Sequence, residues 1–504
     1  MQQDGITLAG LGLTGLAHAG PRPDPELKIA GIAVDSRQVK DGFLFAAIPG
    51  TRLDGASFAQ YAVRQGAAAV LITPAGLETA RADIGDLPVP FLICGNPRLE
   101  LAHAAARFFG KQPETMIAVT GTNGKTSVAD FTRQLWAASG HRAASFGTTG
   151  LAGDGFEEPL AMTTPEPITL HALLARLAET GCTHAAMEAS SHGLAQYRVD
   201  GVRFAAAALT NITRDHLDYH RDHDDYVGAK LRLFHGVLPR EGVAVLNADD
   251  PVFPLARMAL AGRRMISVGR AAGATLRLTR SAFRNDGQDI HFVWKGEVYQ
   301  ASLSLIGGFQ ADNALLAAGL AIATGDPAEE VFAALPGLTG VRGRMELAGR
   351  RANGAAVYVD YAHTPDALKT ALAALRPHVE GRLIVLGGAG GDRDKGKRIL
   401  MGQAMAKGAD TVIVTDDNPR SEDPAAIRAA VAEGAPEADN IGDRAEAILV
   451  GVDALKMPGD CLLIAGKGHE QGQQVGDTVL PFDDVTQARA AISALDGIRQ
   501  ESCA

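Results

Sequence analysis

Cysteine is scarce in this chain: four in 504 residues (Cys94, Cys182, Cys461, Cys503), with no C-x-x-C pair. A disulfide framework and a cysteine-rich zinc site are thereby disfavoured, and a reducing compartment fits. No apolar run approaches the ~18 residues of a membrane span, so the chain reads as not membrane-spanning. Residues 6–16 are apolar and Ala17-His18-Ala19 mimics a signal-peptidase site. No Lys or Arg precedes that stretch, however, and Asp4 does. It therefore reads as part of the folded protein, and the location as cytoplasmic. Positive charge is also in deficit: 48 Lys and Arg against 58 Asp and Glu give a net charge of −10. A broad nucleic-acid face is disfavoured, although a local basic pocket is not. Repeats and low-complexity segments are missing, which removes solenoid and fibrous classes.

What is present is ordinary globular material, with 46% hydrophobic and 21% charged residues. The 58 glycines gather in short loops and do not form a G-X-Y repeat. At ~150 residues per domain the length predicts three domains. Short apolar runs recur at 67–73 (AAAVLIT), 116–120, 184–187, 205–210, 242–246, 383–386, 411–415 and 461–465, each followed by Gly, Asn, Asp or Ser. These read as buried parallel strands whose following loops carry function. Ala-rich amphipathic stretches at 170–179, 313–323 and 425–433 read as helices between them. The alternation predicts doubly wound α/β sheets. Polar junctions at 110–114 and 336–343 place domains at 1–113, 114–342 and 343–504.

The sharpest motif is TGTNGKTS, residues 120–127, between an apolar strand and a helical stretch. A glycine-rich turn at a helix N-terminus aims backbone N–H groups at phosphate oxygens. Lys125 then reaches the β- and γ-phosphates, and the Thr126 hydroxyl suits Mg²⁺. Glu188, at the end of the next strand, either serves Mg²⁺ or caps its loop. The neighbouring Ser190, Ser191 and His192 do not make a G-x-S-x-G elbow. His216 and His220, four apart as on one helical face, suit either zinc ligands or a solvated polar loop; H-E-x-x-H is absent. The loop GGAGGDRD after residue 386 is an incomplete dinucleotide fingerprint. Loops DNPR (417–420) and GKGHE (466–470) follow later strands. Strand C-terminal ends are where open α/β sheets bind ligands, so Arg393, Arg420 and Glu470 converge on a zwitterion in this reading. Alternatively, Arg420 ties its own loop to Asp423 or another acid.

Together with VDSR (34–37), TTPEP (163–167), MEASSHGLAQYR (187–198), TNITRDHLDYH (210–220), AKLRLF (229–234), GGFQADN (307–313), GRME (343–346), VDYAHTPDAL (359–368), GGDRDKGKR (390–398) and DNPRSEDP (417–424), these motifs resemble the ATP-dependent Mur ligases of peptidoglycan synthesis. The resemblance covers nearly the whole chain and is closest to the diaminopimelate-adding branch. It implies an N-terminal α/β UDP-binding domain, a central P-loop ATPase-like parallel sheet and a C-terminal Rossmann-like domain. It implies an amide ligase adding meso-2,6-diaminopimelate to the D-Glu side-chain carboxylate of UDP-MurNAc-L-Ala-D-Glu, with ATP as co-substrate. Domain closure would keep water from an acyl phosphate.

The resemblance assigns ATP to Gly121, Thr122, Asn123, Gly124, Lys125, Thr126 and Ser127, with Asn313, Arg344 and Asp360 at the adenosine. It assigns the UDP-MurNAc-dipeptide to Val34, Ser36, Thr163, Thr164, Ser190, Gln196 and Arg198. Diaminopimelate falls to Arg393, Asp417, Asn418, Pro419, Arg420, Gly466 and Glu470. Mg²⁺ falls to Thr126, Glu188, His216 and Lys230, the last as a carbamylated lysine whose CO₂-derived oxygens suit the ion. Lys125, Glu188, His216 and Lys230 form the catalytic group, and a monomer is expected. Two departures are small: Ala389 stands where relatives often carry Cys, and Ser127 where Thr is common. A folate or cyanophycin-type ligase would lack the UDP-binding domain and DNPR. A GTPase would need N-K-x-D, and no Asn here precedes Lys. A dehydrogenase would need the complete glycine fingerprint.

Overall fold

Apolar β-branched and alanine-rich runs build three main parallel sheets in this computed structural model. It describes residues 5–50, 53–153, 155–213, 215–216, 219–260 and 262–497. Asp4, Arg214, Leu217, Asp218 and Cys503, all part of the sequence argument, lie outside the described residues. By contacts the chain forms two compact units, Met1–Ser267 with Leu320–Asp326, and Val268–Gly319 with Pro327–Ala504.

The first unit opens with a five-stranded sheet of β1 (Ala17–Ala19), β2 (Gly31–Ala33), β3 (Phe43–Ala46), β4 (Ala67–Ile72) and β5 (Phe91–Ile93) in the order β1-β5-β4-β3-β2. All pairs are parallel except the edge strand β1, which is antiparallel to β5. Thus Ala17-His18-Ala19, the signal-like tripeptide, is an edge strand of this sheet. Helix α1 (Pro97–Phe109) is started by Asn96, whose side chain accepts from Leu99 N at 3.2 Å. It is stopped by Gly110 at φ +70°, a conformation that favours glycine.

The same unit holds β6 (Thr115–Thr120), α2 (Lys125–Ala138), β7 (Ala143–Gly147), β8 (Gly150–Gly153), β9 (Phe156–Glu158), α3 (Pro167–Glu179), β10 (His184–Glu188), β11 (Ala206–Leu209), α4 (His223–Arg232) and β12 (Val243–Asn247). The strand order is β9-β8-β7-β10-β6-β11-β12. The five from β7 to β12 are parallel, while β8 and β9 add an antiparallel edge. Met116 to Thr120 are all buried, as a central strand covered on both faces requires. Each fully buried Ile, Val or Met contributes about 1.5–3 kcal/mol. With β6 in the middle, the loops after β6, β10 and β11 emerge together at one end of the sheet.

The second unit begins with an antiparallel meander, β13 (Leu276–Arg284), β14 (Gly287–Trp294) and β15 (Glu297–Leu303). Its second sheet contains β16 (Glu346–Arg350), β17 (Ala356–Asp360), β18 (Leu383–Gly387), β19 (Thr411–Val414), β20 (Asp439–Asn440) and β21 (Cys461–Ala465), ordered β16-β17-β21-β18-β19-β20. All are parallel except β16. His378 joins meander to sheet: its Nε2 accepts from Gly307 N at 3.0 Å, and its Nδ1 donates to Arg284 O at 2.6 Å. Burial lowers its pKa, which keeps the ring in the neutral form these two bonds need.

Candidate active site

The turn after β6 is shaped by two glycines. Gly121 has φ +147°, and a Cβ there would lie 1.9 Å from Thr210 Oγ1. Gly124 (φ +84°) precedes the first turn of α2. Only glycine takes both positions without strain. The turn is braced by the loop after β11: Thr122 N donates to Asn211 O at 2.7 Å, Asn123 N to Asn211 Oδ1 at 3.0 Å, and Thr213 N to Thr122 Oγ1 at 2.9 Å. The result is a rigid backbone cradle at a helix N-terminus, the arrangement that binds phosphate.

Two lysines meet at this cradle. Lys125 Nζ donates to Gly121 O (3.1 Å) and Thr122 O (2.8 Å), and Lys230 Nζ donates to Gly121 O at 2.7 Å. Lys230 is buried on α4, above the Tyr226 ring, with Nζ 4.6 Å from the ring centroid. Burial, and then the Lys125 charge, hold its amine well below the usual lysine range. Tyr226 shares a 2.9 Å hydrogen bond with Thr122 Oγ1, and burial pushes its phenol up to about 12.

Glu188 ends β10 and is buried. Thr126 Oγ1 donates to its Oε1 at 3.0 Å, Thr148 N to Oε1 at 2.7 Å, and Thr148 Oγ1 to Oε2 at 3.2 Å. A Cβ on Gly147 would sit 2.1 Å from Oε1, so that glycine makes room for the carboxylate. A hydroxyl joined to a buried carboxylate beside a phosphate cradle is a hard oxygen pair that fits Mg²⁺. Thr148 escapes a reading of the sequence; it lies in a plain GTTG turn with no spacing signal. Among the described residues no three His, Cys, Asp or Glu side chains cluster as a metal site.

His216 and His220 are not on one helix face. Residues 211–213 and 215–216 have no regular secondary structure, His216 has φ +52°, which a right-handed helix cannot contain, and α4 starts at His223. His216 is partly exposed and meets His192 edge-on, with centroids 5.0 Å apart. His220 is buried, 3.4 Å from Asp225.

Thr163, Thr164, Ser190, Gln196 and Arg198 are brought together. Thr163 and Thr148 share a 3.1 Å hydroxyl contact. Ser190 N donates to Thr164 Oγ1 (2.9 Å), and Arg198 donates to Thr164 O (2.8 Å) and Gln196 Oε1 (2.7 Å). Val34 and Ser36 follow β2 in the first sheet, Val34 exposed and Ser36 buried. Ser127 is buried in the first turn of α2.

In the second unit, Arg344 and Asp360 are neighbours. Asp360 accepts from Met345 N (2.8 Å) and Ala362 N (2.9 Å), while the Arg344 guanidinium lies 4.8 Å from the Tyr361 ring centroid. Asn313 is on the helix Phe309–Ala323, where it donates to Gln310 Oε1 at 3.0 Å. Among the described residues no hydrogen bond links Asn313 to that pair.

Loops after β18, β19 and β21 converge at the C-terminal ends of the parallel strands of the second sheet. Asn418 Nδ2 donates to Glu470 Oε2 at 2.9 Å. Gly466 has φ +119°, and a Cβ there would lie 2.7 Å from Asp417 Oδ2. Buried Pro419 sets the approach to Arg420, which has φ +51° and donates to Gly391 O at 2.7 Å. Among the described residues no acid pairs with Arg420, so the tie to Asp423 is not formed. Arg393 is exposed and makes no hydrogen bond or ion pair among the described residues. Two features carry no sequence signal. Lys467, inside GKGHE, is fully buried under Asn418. Arg444 and Asp484, 40 residues apart, form a bidentate buried pair (both 2.7 Å), and Arg444 also donates to Ala465 O at 3.0 Å, beneath Gly466.

Among the described residues no helix is long and apolar enough to cross a membrane. Three family models match in succession: "Mur ligase family, catalytic domain" over 28–108, "Mur ligase middle domain" over 119–321, and "Mur ligase, glutamate ligase domain" over 343–468. A protein of Mesorhizobium japonicum named UDP-N-acetylmuramoyl-L-alanyl-D-glutamate–2,6-diaminopimelate ligase is 50% identical, over 95% of this chain and 98% of its own. One of the same name from Agrobacterium fabrum is 51% identical over 94% of each chain. A solved structure of a ligase of that name matches with TM-score 0.73 and 32% identity, over 97% of this chain and 99% of that one. The MurF ligase of Thermotoga maritima in complex with ADP shares the fold, at TM-score 0.58 and 18% identity over 92% and 97% of the two chains. The architecture is the three-domain α/β one of these ligases, and the chain belongs to the Mur ligase family.

Proposed function

We propose that this chain is an ATP-dependent amide ligase that adds meso-2,6-diaminopimelate to the D-Glu side-chain carboxylate of UDP-MurNAc-L-Ala-D-Glu. The observation that carries this reading is half-identity, along 95% of the chain, to a ligase named for that substrate pair. The three matched segments fall inside domains 1–113, 114–342 and 343–504, which supports those limits. The reading includes a cytoplasmic monomer.

A free carboxylate is a poor electrophile, so it must be activated. The D-Glu carboxylate attacks the γ-phosphorus of ATP, ADP leaves, and an acyl phosphate results. The free amine of diaminopimelate then attacks the acyl carbon and phosphate leaves. The glycine turn holds the phosphates, and Lys125 neutralises charge on the transferring group. Thr126, Glu188, His216 and a carbamylated Lys230 would hold Mg²⁺, which supplies further charge neutralisation when bound. The buried, low-pKa amine of Lys230 supports the carbamate, since only a neutral amine adds CO₂. Thr163, Thr164, Ser190, Gln196 and Arg198 orient the dipeptide arm, with Val34 and Ser36 at the uridine-diphosphate end. Arg344, Asp360 and Asn313 take the adenosine. Asp417, Asn418, Arg420, Gly466 and Glu470, with Arg393, receive the amino acid.

ADP release tests the reading. Turnover requires UDP-MurNAc-L-Ala-D-Glu and diaminopimelate together. Turnover with ATP and either partner alone, at the full rate, contradicts it.

A further inference from the structure

The buried ammonium of Lys467 has no part in the ligation chemistry, yet it organises the groups assigned to the incoming amino acid. Its Nζ donates to Asn418 Oδ1 at 2.8 Å and to Gly472 O at 2.7 Å, and the side chain is fully buried. Asp417 and Glu470 carboxylates stand 3.9 and 3.8 Å away.

Donor and acceptor chemistry fixes the orientation of Asn418. An ammonium has three donors and no acceptor. Asn418 must therefore turn its oxygen toward Lys467. The backbone N–H of Gln474 adds a second donor to the same oxygen at 2.9 Å. With Oδ1 saturated on that side, the Asn418 amide nitrogen faces the other way, where it donates to Glu470 Oε2. Lys467 thus dictates the direction of an amide that holds a carboxylate in place.

The second bond of Lys467 reaches further. Gly472 begins a hairpin, Gly472–Val475 with Thr478–Pro481. This hairpin grips the DNPR loop: Arg420 N donates to Gln474 O at 3.1 Å, and Gly476 N donates to Arg420 O at 2.7 Å. Gln473 Nε2 donates to Asp417 O at 2.8 Å. One buried ammonium therefore sits at the junction of the loops after β19 and β21 and of the hairpin that fastens them.

We infer that Lys467 is a positioning residue for the amino-acid substrate: by orienting Asn418 and anchoring the hairpin at Gly472, it presets Glu470 and Arg420 for a zwitterionic amine. This rests on the proposed ligase function. Lys467 itself touches no reacting atom.

The test is steady-state kinetics of full-length Lys467→Met, which keeps the stem and removes the charge and donors. The KM for diaminopimelate should rise about 10- to 100-fold, as expected when a charged buried hydrogen-bond network loses its centre. The kcat should change by less than about threefold, and KM for ATP and for UDP-MurNAc-L-Ala-D-Glu by less than about twofold. A residue needed only for stability would lower active-enzyme concentration, and hence kcat, without that split. Lys467→Gln, which keeps a donor, should show an intermediate KM, and it is the variant read if Lys467→Met does not fold. A diaminopimelate KM within twofold of the unmodified enzyme overturns the inference, as does failure of both variants to fold. An unmodified enzyme that does not ligate diaminopimelate overturns the functional reading instead, and this inference with it.

Discussion

Lys125 and Lys230 donate to the same main-chain oxygen, that of Gly121, at 3.1 and 2.7 Å. Burial, and then the Lys125 charge, disfavour a second ammonium on that carbonyl, which holds the Lys230 amine toward its neutral form. The arrangement suits anions: phosphate oxygens at Lys125 and, in the proposed reading, a carbamate that would turn the neutral Lys230 amine into an anionic oxygen ligand.

Lys125→Ala should abolish ligation and leave the fold intact, because Lys125 lies at the loop and its bonds to Gly121 and Thr122 stay within that one turn. A loss of about 10³-fold or more in kcat, with an unchanged melting curve, is expected for removing a phosphate-neutralising cation. Near-normal turnover would sink the phosphate-loop assignment.

Substituting Lys230 separates charge from chemistry. Lys230→Ala should be inactive, with partial recovery in formate or acetate, which restore an oxygen ligand. Lys230→Arg installs a permanent cation that cannot be carbamylated and should also be inactive. An active Lys230→Arg enzyme would show that no carbamate is needed.

Gly147→Ala should damage the site without removing any polar group. Its Cβ would fall 2.1 Å from Glu188 Oε1, and the carboxylate would have to leave Thr126 and Thr148. Activity should fall about 10²-fold or more, as for a misplaced catalytic group, with a raised Mg²⁺ requirement. Unchanged activity and Mg²⁺ dependence would contradict the role given to Glu188.

His171 makes stability acid-sensitive. It is buried on α3, with Nε2 lacking a hydrogen-bond partner. Burial, reinforced by His103 and Arg203, lowers its pKa from 6.5 to about 4. Between those values the unfolded chain binds a proton that the folded protein refuses. Stability is therefore intact above pH 6.5 and falls as pH drops toward 4, by up to about 3 kcal/mol. Urea melts at pH 7 and pH 5 should show a smaller acid loss for His171→Leu than for the unmodified protein. Equal losses would remove His171 as a cause.

Much of the fold is legible in the sequence because parallel strands buried on both faces read as continuous apolar runs. The apolar run at 461–465 coincides with strand Cys461–Ala465 to the residue, and that at 116–120 matches Thr115–Thr120 to within one. The meander Leu276–Leu303 is not legible, because its strands alternate buried with more exposed positions and lack such runs. The phosphate turn is visible because its glycines and lysine are contiguous. Arg444 with Asp484 is invisible, since nothing local ties residues 40 positions apart. The spacing of His216 and His220 would suit one helix face, but the positive φ at His216 is not helical, and the exposed His216 fits the polar-loop alternative. Lys467 looks like a solvated loop residue until burial and Asn418 give it a partner.

The identity of the added amino acid is the central claim, and Arg420 carries it. meso-Diaminopimelate bears a carboxylate at its far end that lysine lacks. Arg420 is held at φ +51° by Gly391 and the hairpin, with no acid paired to it among the described residues, and in the proposed reading it receives that carboxylate. A site built for a polar group rejects an analogue without it by about 10⁴-fold. The direct measurement is kcat/KM for meso-diaminopimelate and for L-lysine with the unmodified enzyme, ATP and UDP-MurNAc-L-Ala-D-Glu, repeated with Arg420→Ala. The account predicts a preference for diaminopimelate of about 10³-fold or more, largely lost in Arg420→Ala through a raised diaminopimelate KM with little change for ATP. Comparable kcat/KM for the two amino acids in the unmodified enzyme would contradict it.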